Sequence, residues 1–283
     1  MNDSFVSTRL IITADDFGRS SAINQAVAMA VSRGVLTSAS LMVVGNAFDE
    51  AVRIATKELP NIHTGLHLTL TELTPLLGRQ EVPRLVNKKG AFFSSPAKTG
   101  IFLQLSKKMQ NQMNKEIAAQ FERYEDTHLK FFHVNTHHHI HLHPVVFAAM
   151  LRYVLFYKVR AVRIPYEPWY ITGSICTKHQ LRNLFYRTVF YLLCLNMKQQ
   201  LKGKNIKFCQ GVFGLYATGE VTEQWLLKFL DRIKLYAGIY ELYLHPTCDK
   251  RQRGYQELQA LLSTRVRDRI EEFGVELVSH NDI

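Results

Sequence analysis

The chain has 283 residues, a formal net charge of +11 at pH 7, 47% hydrophobic residues and 21% charged residues. This length and composition suit one α/β barrel with a sizeable core, and no linker or repeat divides the chain, so we expect a single domain over residues 1–283. The sequence shows no signal-peptide pattern, membrane-spanning run or nucleic-acid-binding motif, so we expect a cytoplasmic protein whose positive charge serves another anionic partner or surface.

Apolar and β-branched runs alternate with helical patterns along most of the chain. Strands are predicted at Arg9–Thr13, Ser38–Val43, Ile62–Leu68, Lys130–Asn135, Val159–Ile164, Lys207–Gln210, Tyr240–Leu244 and Val275–Val278. Helices are predicted between them at residues 21–34, 47–59, 114–128, 144–156 and 222–233. Such alternation is typical of a parallel sheet, and its repetition favours a closed or nearly closed barrel. The expected fold class is therefore α/β, a TIM-like (β/α) barrel with seven strands or an irregular outline.

Two segments interrupt this alternation. Residues 70–110 are long and predicted to be mostly irregular, which is typical of a lid-like insertion over the site. Residues 177–204 predict a basic, apolar helix, because no Asp or Glu occurs between Glu167 and Glu220. The pattern favours a barrel helix with a buried face and a solvated basic face, and a helix that contacts an anionic membrane surface is the alternative.

Acidic and imidazole side chains recur where the predicted strands end. Asp15 and Asp16 follow the first strand, His67 closes the third, and the run from Asn135 to Pro144 closes the fourth. Arg163 and Glu167 flank the fifth strand, and His245 closes the seventh. Because the carboxyl ends of barrel strands meet on one face, we expect these side chains to form one site.

The histidine-rich run limits how many ligands it can supply. If strand geometry continues through it, His137, His139, His141 and His143 face one way and His138 faces the other. One or two metal ligands are then the reasonable limit. A carboxylate with two imidazoles leaves coordination positions free for water and substrate, which is typical of a catalytic divalent cation. A second carboxylate beside it can serve as a base, although an Asp pair is also common in turns and helix caps.

The ordered motifs "ITADDFGRSSAIN", "GVLTSASLMV", "HTGLHLTLTE", "PRLVNKKGAFF", "HVNTHHHIHLHP", "AVRIPYEP", "FGLYATG" and "ELYLHPT" span nearly the whole chain. As a set they resemble the YdjC-like carbohydrate deacetylase family. The histidine-rich motif followed by "VRIPYEP" is most similar to its hopanoid-biosynthesis-associated branch. The resemblance implies a (β/α) barrel and metal-dependent removal of the acetyl group from an N-acetylated sugar.

The same resemblance implies roles for individual residues. Asp16, His67 and His137 match the ligands of one divalent metal ion, which could be Zn, Mg, Mn or Co. Asp15 matches the general base, and His245 matches a histidine that protonates the leaving amine or stabilises the oxyanion. Arg163, Glu167, His139 and His141 are expected to contact substrate. Asn135 stands where many relatives have Asp, so it can accept a hydrogen bond from a ligand histidine but carries no charge.

Several functions remain open from the sequence. The first is an N-deacetylase acting on a lipid-linked amino sugar such as N-acetylglucosaminyl hopanoid, or on soluble chito-oligosaccharides. Two histidines and a carboxylate can also hold Fe(II) for oxygenase chemistry. A third alternative is a non-catalytic sugar- or lipid-binding barrel. Acetate release without oxygen consumption would separate the first function from the other two.

Overall fold

A computed structural model describes residues 7–175 and 180–283. Its strands are β1 (Thr8–Phe17), β2 (Ser38–Leu41), β3 (His63–Leu68), β4 (His133–Thr136), β5 (Ala161–Val162), β6 (Gly211–Phe213), β7 (Gly238–Leu244) and β8 (Glu276–Leu277). Seven of them follow the order β5-β4-β3-β2-β1-β7-β6, and β8 pairs with the start of β1 outside this path. Every strand pair is parallel. The result is a curled parallel sheet that forms a half-barrel, as expected for a TIM-like α/β fold.

The two edges of this sheet differ from the sequence prediction. Strand β5 is shorter than predicted, and the strand predicted at Lys207–Gln210 is wrong in position, since β6 begins at Gly211. Lys207 contributes an isolated parallel bridge to Ala161 instead. Burial explains the shift, because Val212 and Phe213 are buried whereas Lys207 is exposed.

The helices that follow the strands are mostly where periodicity predicts them. They are α1 (Ser21–Arg33), α2 (Phe48–Arg53), α3 (Pro96–Leu105), α4 (Lys107–Glu125), α5 (Pro144–Phe156), α6 (Trp169–Thr172), α7 (Gln180–Leu201), α8 (Glu223–Ile233), α9 (Gly254–Leu262) and α10 (Thr264–Glu272). A π-helical turn over Ile54–Glu58 extends α2. Local chemistry fixes their starts. Ser20 caps α1 by accepting from the Ile23 amide, and Thr222 caps α8 by accepting from the Trp225 amide.

The segment 70–110 is irregular as far as residue 95, but its last part is helical, which the sequence prediction did not include. This part contains α3, which starts with Ser95 as a capping residue and Pro96 in the first turn. These are ordinary helix-start signals, and they outweigh the weak apolar periodicity of the segment. The first residues of the predicted basic helix 177–204 lie outside the described residues, and α7 covers its remainder.

The carboxyl ends of the strands carry the polar residues singled out above. Strand β1 lies between β2 and β7 and is buried from Leu10 to Phe17, so its end is at the centre of the sheet. His67 of β3 pairs in register with Asn135 of β4, which brings those two side chains side by side. Within residues 7–175 and 180–283, no helix has the length and apolar content needed to span a bilayer.

Candidate active site

Asp15 and Asp16 both approach His67 because the end of β1 is distorted. Asp16 has φ 63°, in the left-handed region, and the register with β2 shifts between Ala14 and Phe17. Strand alternation would send adjacent side chains to opposite faces, and this bulge removes the alternation. Asp16 Oδ1 lies 3.3 Å from His67 Nε2, and Asp15 Oδ1 lies 4.0 Å from His67 Nδ1.

The histidine-rich run does not continue as a strand, so the prediction of a common parity for its odd-numbered members is wrong. Strand β4 ends at Thr136, and a 3-10 helix follows over His137–Leu142. His138 and His139 have φ 55° and 50°, which turns the chain sharply. The histidines therefore diverge, and His137 lies beside Asp16 with its Nδ1 3.1 Å from Asp16 Oδ1.

Asp16, His67 and His137 form a group whose ligand atoms all lie within 4.8 Å of one another, and all three residues are buried. With metal–ligand bonds of about 2.1 Å in a tetrahedral site, neighbouring ligand atoms stand about 3.4 Å apart. The distances of 3.1 and 3.3 Å from Asp16 Oδ1 to the two imidazoles agree with that spacing. We call these three residues the inner site.

Hydrogen bonds orient each residue of the inner site through its other polar atom. His67 Nδ1 lies 2.6 Å from Asn135 Oδ1, His137 Nε2 lies 3.4 Å from Glu72 Oε2, and Asp16 Oδ2 accepts from Arg19 at 2.8 Å. Because an amide oxygen only accepts, His67 carries its proton on Nδ1 and turns a lone pair outward on Nε2.

Two buried atoms at the centre of the inner site, Asp16 Oδ1 and His67 Nε2, have no hydrogen-bond partner. Buried polar atoms without partners are costly, and a divalent cation would satisfy both. The donor set of two imidazoles and one carboxylate therefore fits such an ion.

Asp15 is held beside the inner site as a carboxylate. Arg163 Nη1 donates to Asp15 Oδ2 at 2.5 Å and Nη2 donates to Oδ1 at 3.0 Å, and Asn135 Nδ2 donates to Oδ1 at 3.0 Å. Burial alone would raise the pKa of Asp15, but the Arg163 guanidinium outweighs burial and holds that pKa well below its usual range. Asp15 is therefore ionised at neutral pH.

The guanidinium of Arg163 is itself buried between two carboxylates. Its Nε and Nη2 donate to Glu241 Oε1 at 3.1 and 2.6 Å, and Thr13 Oγ1 donates to the same oxygen at 2.8 Å. Arg163 was expected to contact substrate, and the structure places its guanidinium behind Asp15, with only 2% of the residue exposed.

Two further residues expected at the substrate lie beneath the surface of the pocket. Glu167 accepts from the Thr172 hydroxyl and from the amides of Leu215 and Tyr216, and it is buried. Burial raises the pKa of Glu167 to about 7 despite these hydrogen bonds. His141 is fully buried, with one ring nitrogen beside the Thr136 hydroxyl and the other 2.9 Å from the carbonyl oxygen of Arg163.

A pocket of about 460 Å³ opens over the site. Its lining includes Asp15, His67, Glu72, His138, His139, Tyr243 and His245. His139 Nε2 lies 3.0 Å from the Tyr243 hydroxyl, and the backbone amide of His245 donates to Glu257 at 2.6 Å. The structure therefore brings Asp15, His139 and His245 to one pocket beside the inner site.

A larger cavity of about 820 Å³ adjoins this pocket and shares with it Pro96, His138, His139, Phe190 and Leu215. Helices α3 and α7 line this cavity through residues such as Ile101 and Leu193, and the 3-10 helix contributes Ile140 and Leu142. The lining is therefore mostly apolar.

Sequence reasoning missed Arg19, Glu72, Glu241 and Tyr243. Glu241 had a signal, because it is the one acid inside the apolar strand run "GIYELYL". Arg19 and Glu72 had only proximity to the "ADDFGR" and "HLTLTE" motifs, and nothing in their spacing predicts that Arg19 pairs with Asp16 or that Glu72 contacts His137.

The profile of the YdjC-like protein family matches residues 9–272. The chain is similar to the carbohydrate deacetylase of Brevibacillus brevis, at 36% identity over 158 residues, which is 56% of this chain and 60% of that protein. It is similar to the carbohydrate deacetylase of Geobacillus stearothermophilus at 38% identity over 137 residues, 48% of this chain and 52% of that protein. These two alignments thus span less than two thirds of each relative.

Similarity over nearly the full length extends to the carbohydrate deacetylase of Enterococcus faecalis, at 27% identity over 97% of this chain and 98% of that protein. Among solved structures, the chain is similar to a putative cellobiose-phosphate cleavage protein from Enterococcus faecalis V583. The TM-score is 0.74 at 23% identity, with 98% of both chains covered, and this likeness concerns the fold.

Proposed function

The chain belongs to the family of YdjC-like proteins, and on that premise we propose that it is a metal-dependent carbohydrate N-deacetylase. Its reaction is the hydrolysis of the amide that joins an acetyl group to an amino sugar. The observation that carries this proposal is the inner site, where Asp16, His67 and His137 turn three ligand atoms toward one point beside an ionised Asp15. The carbohydrate deacetylases among its relatives support the same reaction class.

The inner-site residues would hold one divalent cation. When bound, such an ion polarises an acetyl carbonyl and makes water easier to deprotonate near neutral pH. Zn, Mn, Co and Mg all accept mixed nitrogen and oxygen ligands to different degrees, and the imidazole pair favours the first three.

Asp15 is the proposed general base. It stays ionised at neutral pH, and Arg163 and Asn135 fix the direction of its carboxylate toward the inner site. Arg163 acts through Asp15, because its donors are already committed to Asp15 and Glu241. Its proposed role is therefore to position and ionise the base.

His245 is the proposed general acid. It lines the pocket together with Asp15, and the hydrogen bond from its backbone amide to Glu257 fixes the start of the loop that carries it. A histidine at this place can donate a proton to the sugar nitrogen as the amide breaks. His139 and Tyr243 form the wall of the pocket where the sugar would bind, while His141 and Glu167 support that wall from beneath.

For the substrate, we favour an amino sugar attached to an apolar group, such as N-acetylglucosaminyl hopanoid. The supporting observation is the mostly apolar cavity of about 820 Å³ that adjoins the pocket. The hydroxyls of a free chito-oligosaccharide would find few polar partners in a cavity whose lining is mostly apolar. Incubation of the metal-loaded protein with the glycolipid and with chitobiose tests this preference.

We also favour peripheral contact with an anionic membrane, on its cytoplasmic face, through α3 and α7. Their exposed apolar residues are Ile101, Phe102, Leu105, Leu184, Tyr191, Leu192 and Leu195. Exposed lysines stand beside them, including Lys98, Lys107, Lys202 and Lys204. The protein should sediment with anionic liposomes at low salt and be released at high salt. Leu105→Ser should weaken this binding, whereas Leu235→Ser, on an exposed leucine after α8, should not.

The decisive experiment measures acetate. Metal-free protein should release none from an N-acetylated amino sugar, and protein supplied with Zn²⁺, Mn²⁺ or Co²⁺ should release acetate with loss of the acetyl mass from the sugar. Oxygen consumption that depends on Fe(II) would instead support the oxygenase alternative. Tight sugar binding without acetate release under every metal would support the non-catalytic alternative.

A further inference from the structure

A second group of potential metal ligands lies on the solvent side of the inner site. His137 Nε2 lies 3.4 Å from Glu72 Oε2, and His138 Nε2 lies 3.7 Å from Glu72 Oε1. The ligand atoms of Glu72, His137 and His138 all lie within 4.8 Å of one another, as those of the inner site do. We call these three residues the outer site.

The geometry of the outer site is held by specific contacts. His138 Nδ1 lies 3.1 Å from the Thr71 hydroxyl, which leaves Nε2 on the side of Glu72. The rings of His137 and His138 stack with centroids 4.0 Å apart. Glu72 and His138 have φ 66° and 55°, a backbone region that non-glycine residues adopt at a cost. The fold therefore maintains this arrangement against local strain.

The two sites differ in their access to solvent. The side chains of Glu72 and His138 are 35% and 36% exposed, and both residues line the pocket. The side chains of the inner site are only 1% to 6% exposed. His67 also lines this pocket, but Asp16 does not, so a hydrated ion that arrives from the pocket meets the more exposed Glu72 and His138 before it can reach Asp16.

His137 belongs to both sites through opposite ring nitrogens. Its Nδ1 faces Asp16 Oδ1 at 3.1 Å, and its Nε2 faces Glu72 Oε2 at 3.4 Å. A neutral imidazole has one nitrogen lone pair, so His137 can coordinate one ion at a time. Occupation of the outer and inner sites through His137 is thus mutually exclusive.

The outer site should hold an ion less firmly than the inner site. Arg19 pairs with the carboxylates of both sites, at 2.8 Å from Asp16 Oδ2 and 3.3 Å from Glu72 Oε2, so the difference between the sites comes from their burial. Water screens the half-exposed outer ligands, whereas the buried inner ligands act in a medium of low polarity. An ion that can reach both positions should therefore come to rest at the inner site.

We propose that Glu72, His137 and His138 form an outer cation site that captures a divalent ion from solvent and passes it to the inner site. The inference rests on the inner metal site of the proposed function, and it adds the route by which that site is filled. It does not depend on the identity of the sugar or on catalysis.

The test is the rate of metal binding to the full-length protein. Metal-free wild-type protein and the His138→Asn variant are mixed with Zn²⁺, and release is then followed after addition of excess chelator. His138→Asn should slow both binding and release about tenfold, the scale on which a ligand or its partner affects a metal site. The dissociation constant should change less than about twofold, because a route alters both rates alike. Binding should remain at one Zn²⁺ per chain.

Two further variants serve as controls. Thr71→Val removes only the hydroxyl that orients His138, and it should slow binding and release in the same direction but less. His143→Asn alters a histidine that lines the adjoining cavity and not the pocket lined by Glu72, and it should leave both rates unchanged.

Unchanged rates of Zn²⁺ binding and release in His138→Asn would overturn the proposal. A larger dissociation constant with an unchanged binding rate would also overturn it. A second tightly bound Zn²⁺ in the wild type would also overturn it, because the two sites would then not alternate. The inner site itself is tested separately. If Asp16→Asn binds Zn²⁺ as tightly as the wild type does, Asp16 is not a ligand and the inner site of the proposed function is wrong.

Discussion

Replacement of Arg163 by methionine tests how the general base is held. The guanidinium makes four hydrogen bonds to Asp15 and Glu241, and all three side chains are at most 2% exposed. Arg163→Met leaves two buried carboxylates without their counter-ion. Removal of one partner from a buried ion pair costs about 3–5 kcal/mol, so we expect a loss of about 4 kcal/mol in the free energy of unfolding at neutral pH.

The pH dependence of that loss distinguishes an electrostatic cause from a packing defect. In the wild type, Arg163 holds the pKa values of Asp15 and Glu241 below their usual ranges, so its stabilisation is present above about pH 4 and is lost as the pH falls. In Arg163→Met, burial would instead raise both pKa values, and acid would neutralise the carboxylates. The difference in stability between the two proteins should therefore shrink as the pH falls from about 7 to about 5.

The assay is urea unfolding of metal-free protein, followed by circular dichroism across that pH range. The double variant Arg163→Met/Glu241→Gln is the matched control, because it removes the charge of one stranded carboxylate and should recover part of the lost stability. A loss below about 1 kcal/mol, the range of an exposed ion pair, would refute the reasoning. So would a larger loss that stays constant with pH, since a cavity has no protonation dependence.

Five other substitutions probe the site. Asp15→Asn should keep the metal and lower the rate of deacetylation by about 10²–10⁴-fold, whereas Asp16→Asn and His67→Ala should lose the metal. Metal analysis and acetate assays of the purified proteins separate these outcomes. Equal metal loading in all three variants would contradict the assignment. Asn135→Asp keeps the acceptor for His67 and places a second carboxylate 3.0 Å from Asp15, so the acid limb of the pH–rate profile should move to higher pH; an unmoved limb would count against Asp15 as the base. Glu167→Gln removes a carboxyl group whose pKa burial raises to about 7. The free energy of unfolding of the wild type should therefore fall as the pH rises from about 4.5 to about 7, whereas the variant lacks this loss. In urea unfolding the variant should gain up to about 3 kcal/mol relative to the wild type over this range, and a difference that stays constant with pH would disprove the assignment.

The sequence predicts the sheet and the ligand-bearing strand ends because both follow from short-range patterns. Apolar runs of strand length identify β1, β3 and β7, and polar residues at their carboxyl ends mark the site. The same reasoning misplaces β6, because Lys207–Gln210 and Gly211–Phe213 are adjacent runs of similar character. Only burial in the folded protein decides between them.

Side-chain direction at the site could not be predicted from strand periodicity. Asp16, His138 and His139 all have positive φ, and each such residue resets the alternation on which the parity of the histidines was based. Positive φ in non-glycine residues depends on tertiary contacts, which no local pattern encodes. The partners of the ligands, such as Glu72, come from other strand ends and are equally invisible to local patterns.

Formal charge gives an independent reason to expect a divalent ion. The connected polar groups around the site comprise four carboxylates, on Asp15, Asp16, Glu72 and Glu241, and two guanidiniums, on Arg19 and Arg163. These groups leave a formal charge of −2 in a mostly buried region, where uncompensated charge is costly.

Without metal, a proton on His137 supplies part of the balance. Burial would lower the pKa of His137, but its contacts with Asp16 and Glu72 raise that pKa to about 9. A divalent cation restores neutrality more completely, and it must displace this proton to bind. Binding of the ion should therefore release protons and weaken as the pH falls below about 9.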